Sequence, residues 1–298
     1  MTLDSYLEKN GYSQDLRDLI QVIVAQVQPI KDEFLGGDEK AGTYNIYGEE
    51  QIKLDKRANE ILIEAFRSSN LVKQVASEEE KEVIHLSSQK GHFGVTMDPL
   101  DGSSLIPTNL TVGIIISIYK NGEVMSGLKN ITQAFYILLG PLTVMVFAGE
   151  NGVAKFLYNK KGIFDLVKEG ITLPEGKLYS PGGLKEKWTD AHRNIIRTLE
   201  EDGFKLRYSG SFTPDFHQIL SYGGVFTYPA LTDKPHGKLR VLFEVGPMAF
   251  IAEKAGGGAT NGKSRILDII PTEVDQRTPV YIGSKKVVLK IKEKLALK

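Results

Sequence analysis

The stretch Asp98-Pro99-Leu100-Asp101-Gly102-Ser103-Ser104 constrains this chain more than any other. It follows Gly94-Val95-Thr96-Met97, a short apolar run that reads as a strand. Pro99 and Gly102 force a tight turn at the strand's end. Asp98 and Asp101 place two carboxylates on that turn, and Gly102, Ser103 and Ser104 leave amide donors open. Hard oxygen ligands suit a divalent cation, and clustered N–H groups suit phosphate oxygens. The plain alternative is a turn capped by an aspartate.

Apolar spacing outlines the surrounding elements. Leu16, Leu19, Ile20, Ile23, Val24 and Val27 form a helical stripe within Leu16 to Phe34, with Pro29 expected to bend or end it. Gly36-Gly37-Asp38 breaks the chain, and a polar loop runs from Lys40 to Tyr47. A second helix is expected from Glu49, burying Leu54, Ala58, Ile61, Leu62 and Ala65. Strands are expected over Leu71–Ala76 and Leu110–Tyr119. Asn121-Gly122 signals a hairpin returning through Glu123 to Leu128. Further strands are expected over Ala134–Leu139, Leu142–Ala148 and Val153–Tyr158.

The polar connection Thr172–Lys177 divides the chain into an N-terminal half, 1–172, and a C-terminal half, 173–298. The second half predicts a helix over Thr189–Asp202, a strand over Phe204–Tyr208 and a helix start around Asp215. Strands follow at Val225–Tyr228 and Leu239–Phe243, then a helix over Met248–Ala255. A last strand at Val280–Gly283 leads to a Lys-rich helix capped by Ser284. Mixed strands and helices give an α/β class.

Acids recur where these elements end: Glu49, Asp55, Glu78, Glu79, Asp98, Asp101 and Glu244. Each alone reads equally well as a solvated carboxylate. Adjacent Glu78, Glu79 and Glu80 repel one another; two charges about 4 Å apart cost about 4 kcal/mol at an effective dielectric near 20. Solvent tolerates this, and bound cations would reverse it. Glu244 ends a strand that turns into a helix, a place where open α/β sheets bind ligands. Arg207, Tyr208, Tyr228 and Lys238 form a basic and aromatic set suited to an anionic, hydroxyl-bearing ligand.

Composition removes several function classes. Lys plus Arg and Asp plus Glu both number 37, so no net charge argues for nucleic acid. No apolar run reaches membrane-spanning length, and the charged start lacks a signal-peptide core. A cytoplasmic protein is the expectation, with neither nucleic acid nor membrane as partner. The absence of cysteine excludes thiolate nucleophiles, zinc–thiolate sites and disulfide switching.

Taken together, the motifs resemble class 1 fructose-1,6-bisphosphatases. The resemblance rests on Ser77-Glu78-Glu79, the opening motif, Arg207-Tyr208-x-Gly210-Ser211 and Tyr222-Gly223-Gly224-x-Phe226-x-Tyr228-Pro229. It continues through Gly237-Lys238-Leu239-Arg240-x-Leu242-Phe243-Glu244, Glu253-Lys254-Ala255-Gly256-Gly257 and Asp275-Gln276-Arg277. It implies the sugar-phosphatase fold, with alternating α-β-α-β-α layers from two sheet-containing halves, the first binding metal and the second the sugar phosphate. It also implies a phosphoric monoester hydrolase of gluconeogenesis that removes the 1-phosphate of fructose 1,6-bisphosphate.

The same resemblance assigns roles. Asp98, Asp101 and Glu244 match ligands of one Mg²⁺. Glu78, Asp98 and the Leu100 carbonyl match ligands of a second, and Glu49 lies near a third; Mn²⁺ is a possible substitute. Asp55 and Glu79 match the catalytic acids that handle the attacking water. Asp101, Gly102, Ser103, Ser104, Gly210 and Ser211 are assigned to substrate, with Ser103 and its amide neighbours on the departing phosphate. Tyr208, Tyr228 and Lys238 match residues gripping the sugar and its other phosphate. Arg207 matches an arginine reaching into a neighbouring subunit's site, within a homotetramer or homodimer.

Some positions depart from the family pattern. Leu105-Ile106-Pro107 stands where Asn-Ile-Asp is usual, and Ser180-Pro181-Gly182-Gly183 resembles the sedoheptulose-1,7-bisphosphatase branch. The AMP-loop motif is missing and His92-Phe93 replaces a Lys-Tyr pair, so AMP inhibition of that kind is not expected. A sedoheptulose or dual sugar bisphosphatase is the nearest alternative. An inositol-phosphatase-type enzyme and a non-catalytic sugar-phosphate sensor are more distant ones.

Overall fold

The computed structural model describes residues 1–35, 49–86 and 91–296. Side chains 35 and 49–53 are not described, so the expectations for Glu49 and for the loop over 36–48 lie outside the described residues.

Long runs of β-branched and aromatic residues build the first sheet. Its strands are β1 (Val72–Ser77), β2 (Ile84–His85), β3 (Phe93–Asp101), β4 (Val112–Tyr119), β5 (Ile131–Leu139), β6 (Thr143–Gly149), β7 (Gly152–Tyr158) and β8 (Phe164–Lys168). They lie in the order β2-β1-β3-β4-β5-β6-β7-β8. Pairing is antiparallel except between β1 and β3, which run parallel with Ser77 beside Met97. That parallel pair matters most, because both strands end at the same edge. The second sheet contains β9 (Leu178–Pro181), β10 (Lys205–Leu206), β11 (Gly224–Tyr228), β12 (Gly258–Thr260) and β13 (Val280–Gly283), in the order β10-β9-β11-β13-β12.

Side-chain alternation sorts residues into three packed layers. On β4, Ile114, Ile116 and Ile118 face helices α1 (Leu3–Lys9), α2 (Gln14–Val24), α3 (Val27–Leu35) and α4 (Glu49–Ser69). Ile115 and Tyr119 face the opposite way, onto α6 (Phe212–Tyr222) and α7 (Gly246–Lys254). Phe226, Val280 and Ile282 of the second sheet close this central layer from its other side. Val225 and Tyr281 point outward, onto α5 (Asp190–Glu201) and α8 (Lys285–Ala296). The expected alternation of helix and sheet layers is therefore present.

Several local expectations require correction. The first helical stripe breaks at Ala25-Gln26, and Pro29 sits in the first turn of α3. A proline ring collides with the carbonyl four residues earlier, here Ala25, whereas its missing N–H costs nothing in a first turn. Glu123–Leu128 forms turns rather than a returning strand, and β5 starts at Ile131, opposite Tyr119. Only Lys205–Leu206 of the Phe204–Tyr208 segment pairs, and α6 starts at Phe212. Ser284 precedes α8, but its hydroxyl does not cap it: Oγ donates to the Pro174 carbonyl at 2.7 Å and accepts from Gly224 N–H at 2.8 Å.

Candidate active site

The site lies where β1 and β3 end together. Thr96 and Asp98 share one face of β3, toward the central layer. Thr96 Oγ1 lies 2.6 Å from Ser117 Oγ and donates to the Leu242 carbonyl at 2.9 Å. That contact seats the segment carrying Glu244 beneath Asp98. The segment is a π-helical turn, Val241–Val245, running into α7, and not the strand expected over Leu239–Phe243. Its apolar and β-branched residues read as a strand, but tertiary contacts override that preference. Arg240 N–H donates to Glu244 Oε2 at 2.7 Å and Val241 N–H donates to Gln276 O at 2.7 Å, holding the turn at both levels.

Glu78, Asp98 and Glu244 meet in this corner, with ligand oxygens within 4.8 Å of one another. Asp98 and Glu244 are only 5% and 6% exposed, and among the described residues the acids of this corner form one ion pair, between Arg240 Nη1 and Glu78 Oε1. Burial, followed by repulsion from Glu78, Asp101 and Glu244, drives the Asp98 carboxyl well above its ordinary range. Burial and Glu78 do the same to Glu244, opposed by the Arg240 N–H. Acids that repel at this depth are stable as carboxylates only with a compensating cation. An all-oxygen set of this kind fits a hard divalent ion.

Asp101 stands in the same cleft, and its Oδ2 is engaged by the start of α6. Ser211 Oγ and Thr213 N–H each donate to it at 2.7 Å. Gly102 makes this approach possible, with φ +81° and no side chain; a Cβ there would fall 2.5 Å from Ser211. The turn then continues as a 3-10 helix, Ser103–Thr108, with Pro107 inside it. Leu100 N–H donates to Asp98 Oδ1 at 2.9 Å, fixing that carboxylate's rotation.

On the far side, α4 contributes Asp55, whose Oδ2 accepts from Ser103 Oγ at 3.0 Å. Burial lifts Asp55 to about 7; the Ser103 hydrogen bond opposes this and the Glu79 and Glu78 charges add to it. Glu79 is raised for the same reasons, burial first and Glu78 second.

The opposite wall comes from the second half of the chain. Tyr208, Gly210, Ser211, Tyr228 and Lys238 line it, across a cleft of about 190 Å³ from the acids. Lys238 Nζ sits 5.8 Å from the centre of the Tyr228 ring. Gly182 presses against Tyr228, and a Cβ at Gly182 would lie 2.3 Å from the ring. Asp215, fully buried on α6, accepts from Ser209 N–H through both oxygens, at 2.9 and 3.1 Å, and so shapes the loop bearing Tyr208. Burial raises Asp215 to about 6.

Asp55, Glu78, Glu79, Asp98, Leu100, Gly102, Ser103 and Ser104 all reach the cleft with these residues. Arg207 does not. It donates to Gln218 Oε1 at 3.1 Å and packs over the Tyr222 ring at 5.7 Å, on the exposed surface. Phe212, Phe226, Leu239 and Arg240 also line the cleft, without a role assigned from the sequence. Arg240 was detectable as a cation four residues before Glu244; the apolar three carried no signal beyond core packing.

Comparison with known proteins agrees with this geometry. Residues 3–169 match the model of the fructose-1,6-bisphosphatase N-terminal domain, and residues 172–296 match that of the C-terminal domain. The chain belongs to the fructose-1,6-bisphosphatase family. It is 44% identical over 290 residues to the class 1 fructose-1,6-bisphosphatase of Methanocorpusculum labreanum, covering 97% of this chain and 90% of that one. The enzyme of the same name from Trichlorobacter lovleyi is 49% identical over 256 residues, covering 85% of this chain and 81% of the relative. The crystal structure of Leishmania major fructose-1,6-bisphosphatase in holo form superposes with a TM-score of 0.90 at 31% identity. It covers 100% of this chain and 99% of that one. Among the described residues, no helix is long and apolar enough to cross a membrane.

Proposed function

We propose that this protein is a divalent-metal-dependent phosphatase that hydrolyses fructose 1,6-bisphosphate at its 1-phosphate. The observation carrying this reading is the Glu78–Asp98–Glu244 trio, two of its acids buried, in one cleft with the Gly102–Ser104 turn and with Tyr228 and Lys238. Family membership supports it across both halves of the chain.

Phosphate monoesters resist hydrolysis because of charge and positioning, so a site gains most by neutralising and orienting. Asp98, Asp101 and Glu244 would hold one Mg²⁺, and Glu78, Asp98 and the Leu100 carbonyl a second, with Mn²⁺ as an alternative ion. The ion supplies charge neutralisation at the phosphoryl oxygens and a more acidic water. The chain's own residues do the rest. Gly102 through Ser104 offer donors to the transferring phosphate. Asp55 and Glu79, both held above the ordinary carboxylate range, flank the space where water must approach and are suited to taking its proton. Lys238, Tyr208 and Tyr228 hold the sugar and distal phosphate. Arg207, facing outward, is suited to a neighbouring copy's site in a homotetramer or homodimer. The two halves, meeting near residue 172, share the labour: the first supplies most of the metal-binding acids, the second supplies Glu244 and the sugar-phosphate wall, and the compartment is cytoplasmic.

The test is phosphate release, with Mg²⁺, from fructose 1,6-bisphosphate, sedoheptulose 1,7-bisphosphate and inositol monophosphate side by side. Fructose 1,6-bisphosphate should be cleaved with the highest kcat/KM, and EDTA should stop it. Preference for the seven-carbon substrate would reassign the sugar, and release from none would reject an enzyme.

A further inference from the structure

We infer that Asn59 is a positioning residue that fixes the distance between the two water-handling acids, an inference resting on the functional reading above. Asp55 belongs to α4, while Glu78 and Glu79 belong to the turn after β1. Asp55 and Glu79 sit on consecutive but separately placed elements, and their side chains must converge on one water.

Asn59 lies one helical turn beyond Asp55, so both project from the same face of α4. It is 4% exposed, and both ends of its amide are used. Ser77 Oγ donates to Asn59 Oδ1 at 2.7 Å, and Asn59 Nδ2 donates to Glu80 Oε1 at 2.8 Å. The partners fix the amide's orientation, since a carboxylate can only accept. Ser77 Oγ in turn accepts from Glu79 N–H at 3.3 Å, and Glu80 N–H donates to the Ser77 carbonyl at 3.1 Å. One buried amide therefore grips both ends of the Ser77–Glu80 turn and ties it to the helix carrying Asp55. Glu80 is accounted for as well: its carboxylate holds the clamp, while Glu78 and Glu79 face the cleft.

The test uses kinetics and hydrogen exchange on the full chain with Mg²⁺ and fructose 1,6-bisphosphate. Asn59→Asp keeps the size and the acceptor for Ser77 but turns a carboxylate on Glu80. It should lower kcat about 10- to 100-fold, the scale of an approximately 1 Å misplacement, with KM within about threefold. Amide exchange over residues 72–82 should accelerate. Asn59→Asp combined with Glu80→Gln restores the bond with the donor reversed. It should return kcat to within about fivefold of wild type and slow the exchange again. A buried group serving stability alone would not show this kcat-specific loss and rescue. Asn59→Asp with kcat within about twofold of wild type would overturn the inference. So would a double variant that recovers slow exchange but not kcat. If Asn59→Asp fails to fold, Glu80→Ala removes the contact from the solvent side and should lower kcat about 5- to 10-fold; unchanged kcat there also overturns the inference. If the wild type releases no phosphate, the functional reading fails, and the exchange readout still tests the clamp. If it turns over and the variants are indifferent, only the clamp fails.

Discussion

The two walls of the cleft are built on opposite principles. The acid wall is buried, crowded with like charge and fixed by backbone: parallel strand ends, a π-helical turn and a clamp on α4 hold its carboxylates where they repel. The sugar-phosphate wall is more open. Tyr208 is 46% exposed and Lys238 is exposed, and that wall relies on ring packing and loop shape. The first wall carries an acidic cluster that could bind a metal ion, whereas the second presents Lys238 beside tyrosine rings. Loss on the first should therefore appear in the chemical step, and loss on the second in substrate affinity.

The largest effect should come from Asp98→Asn. It removes one oxyanion from the trio and should reduce kcat by about 10³-fold, or about 4 kcal/mol. The same substitution should raise the melting temperature in EDTA by relieving buried repulsion. A variant that is less stable without metal would show that the trio is not held against repulsion. Next, Lys238→Met should raise KM about 10- to 100-fold, the value of one charge-assisted hydrogen bond of about 1.5–3 kcal/mol. Its kcat should change little; a fall in kcat instead would merge the roles of the two walls. Gly182→Ala should displace the Tyr228 ring and raise KM about 3- to 10-fold, with Asn59-type effects on kcat absent.

The smallest effect is a pH dependence of stability, carried on the acid wall by Asp55. Asp55 has a folded-state value of about 7 against an ordinary 3.8. Because the folded value is the higher one, its contribution to stability is full below about pH 4 and is lost as pH rises through about 7. Thermal unfolding in EDTA should follow that fall by a few degrees, and Mg²⁺ should flatten it. An EDTA curve rising across this window would contradict the assigned burial of Asp55.

The sequence exposes the two walls unequally. Asp98 through Ser104 and Glu78-Glu79 are legible because Pro, Gly and adjacent like charges punctuate strand ends. Strands β4 to β7 stand out as long, mostly apolar runs. By contrast, β9 and β12 have four and three residues, too few to stand out, and β10 keeps only two residues of the strand expected over Phe204–Tyr208. The expected strand Leu239–Phe243 runs into a π-helical turn, Val241–Val245, whose form depends on Arg240, Thr96 and Gln276, all outside that turn. Asn59 carries no local signal, since a lone helix asparagine acquires meaning only when Ser77 and Glu80 arrive beside it.

The π-helical turn has a consequence for how this molecule comes into being. Arg240, the cation of the acid wall, is 162 residues from its partner Glu78. At about 5–20 residues per second of synthesis, roughly 10–30 s separate their appearance on a growing chain. During that interval β3 presents Asp98 with neither Glu244 nor Leu242 beneath it. The nascent N-terminal half is therefore born with its acids open to water and gains its buried charge late, when the second half docks.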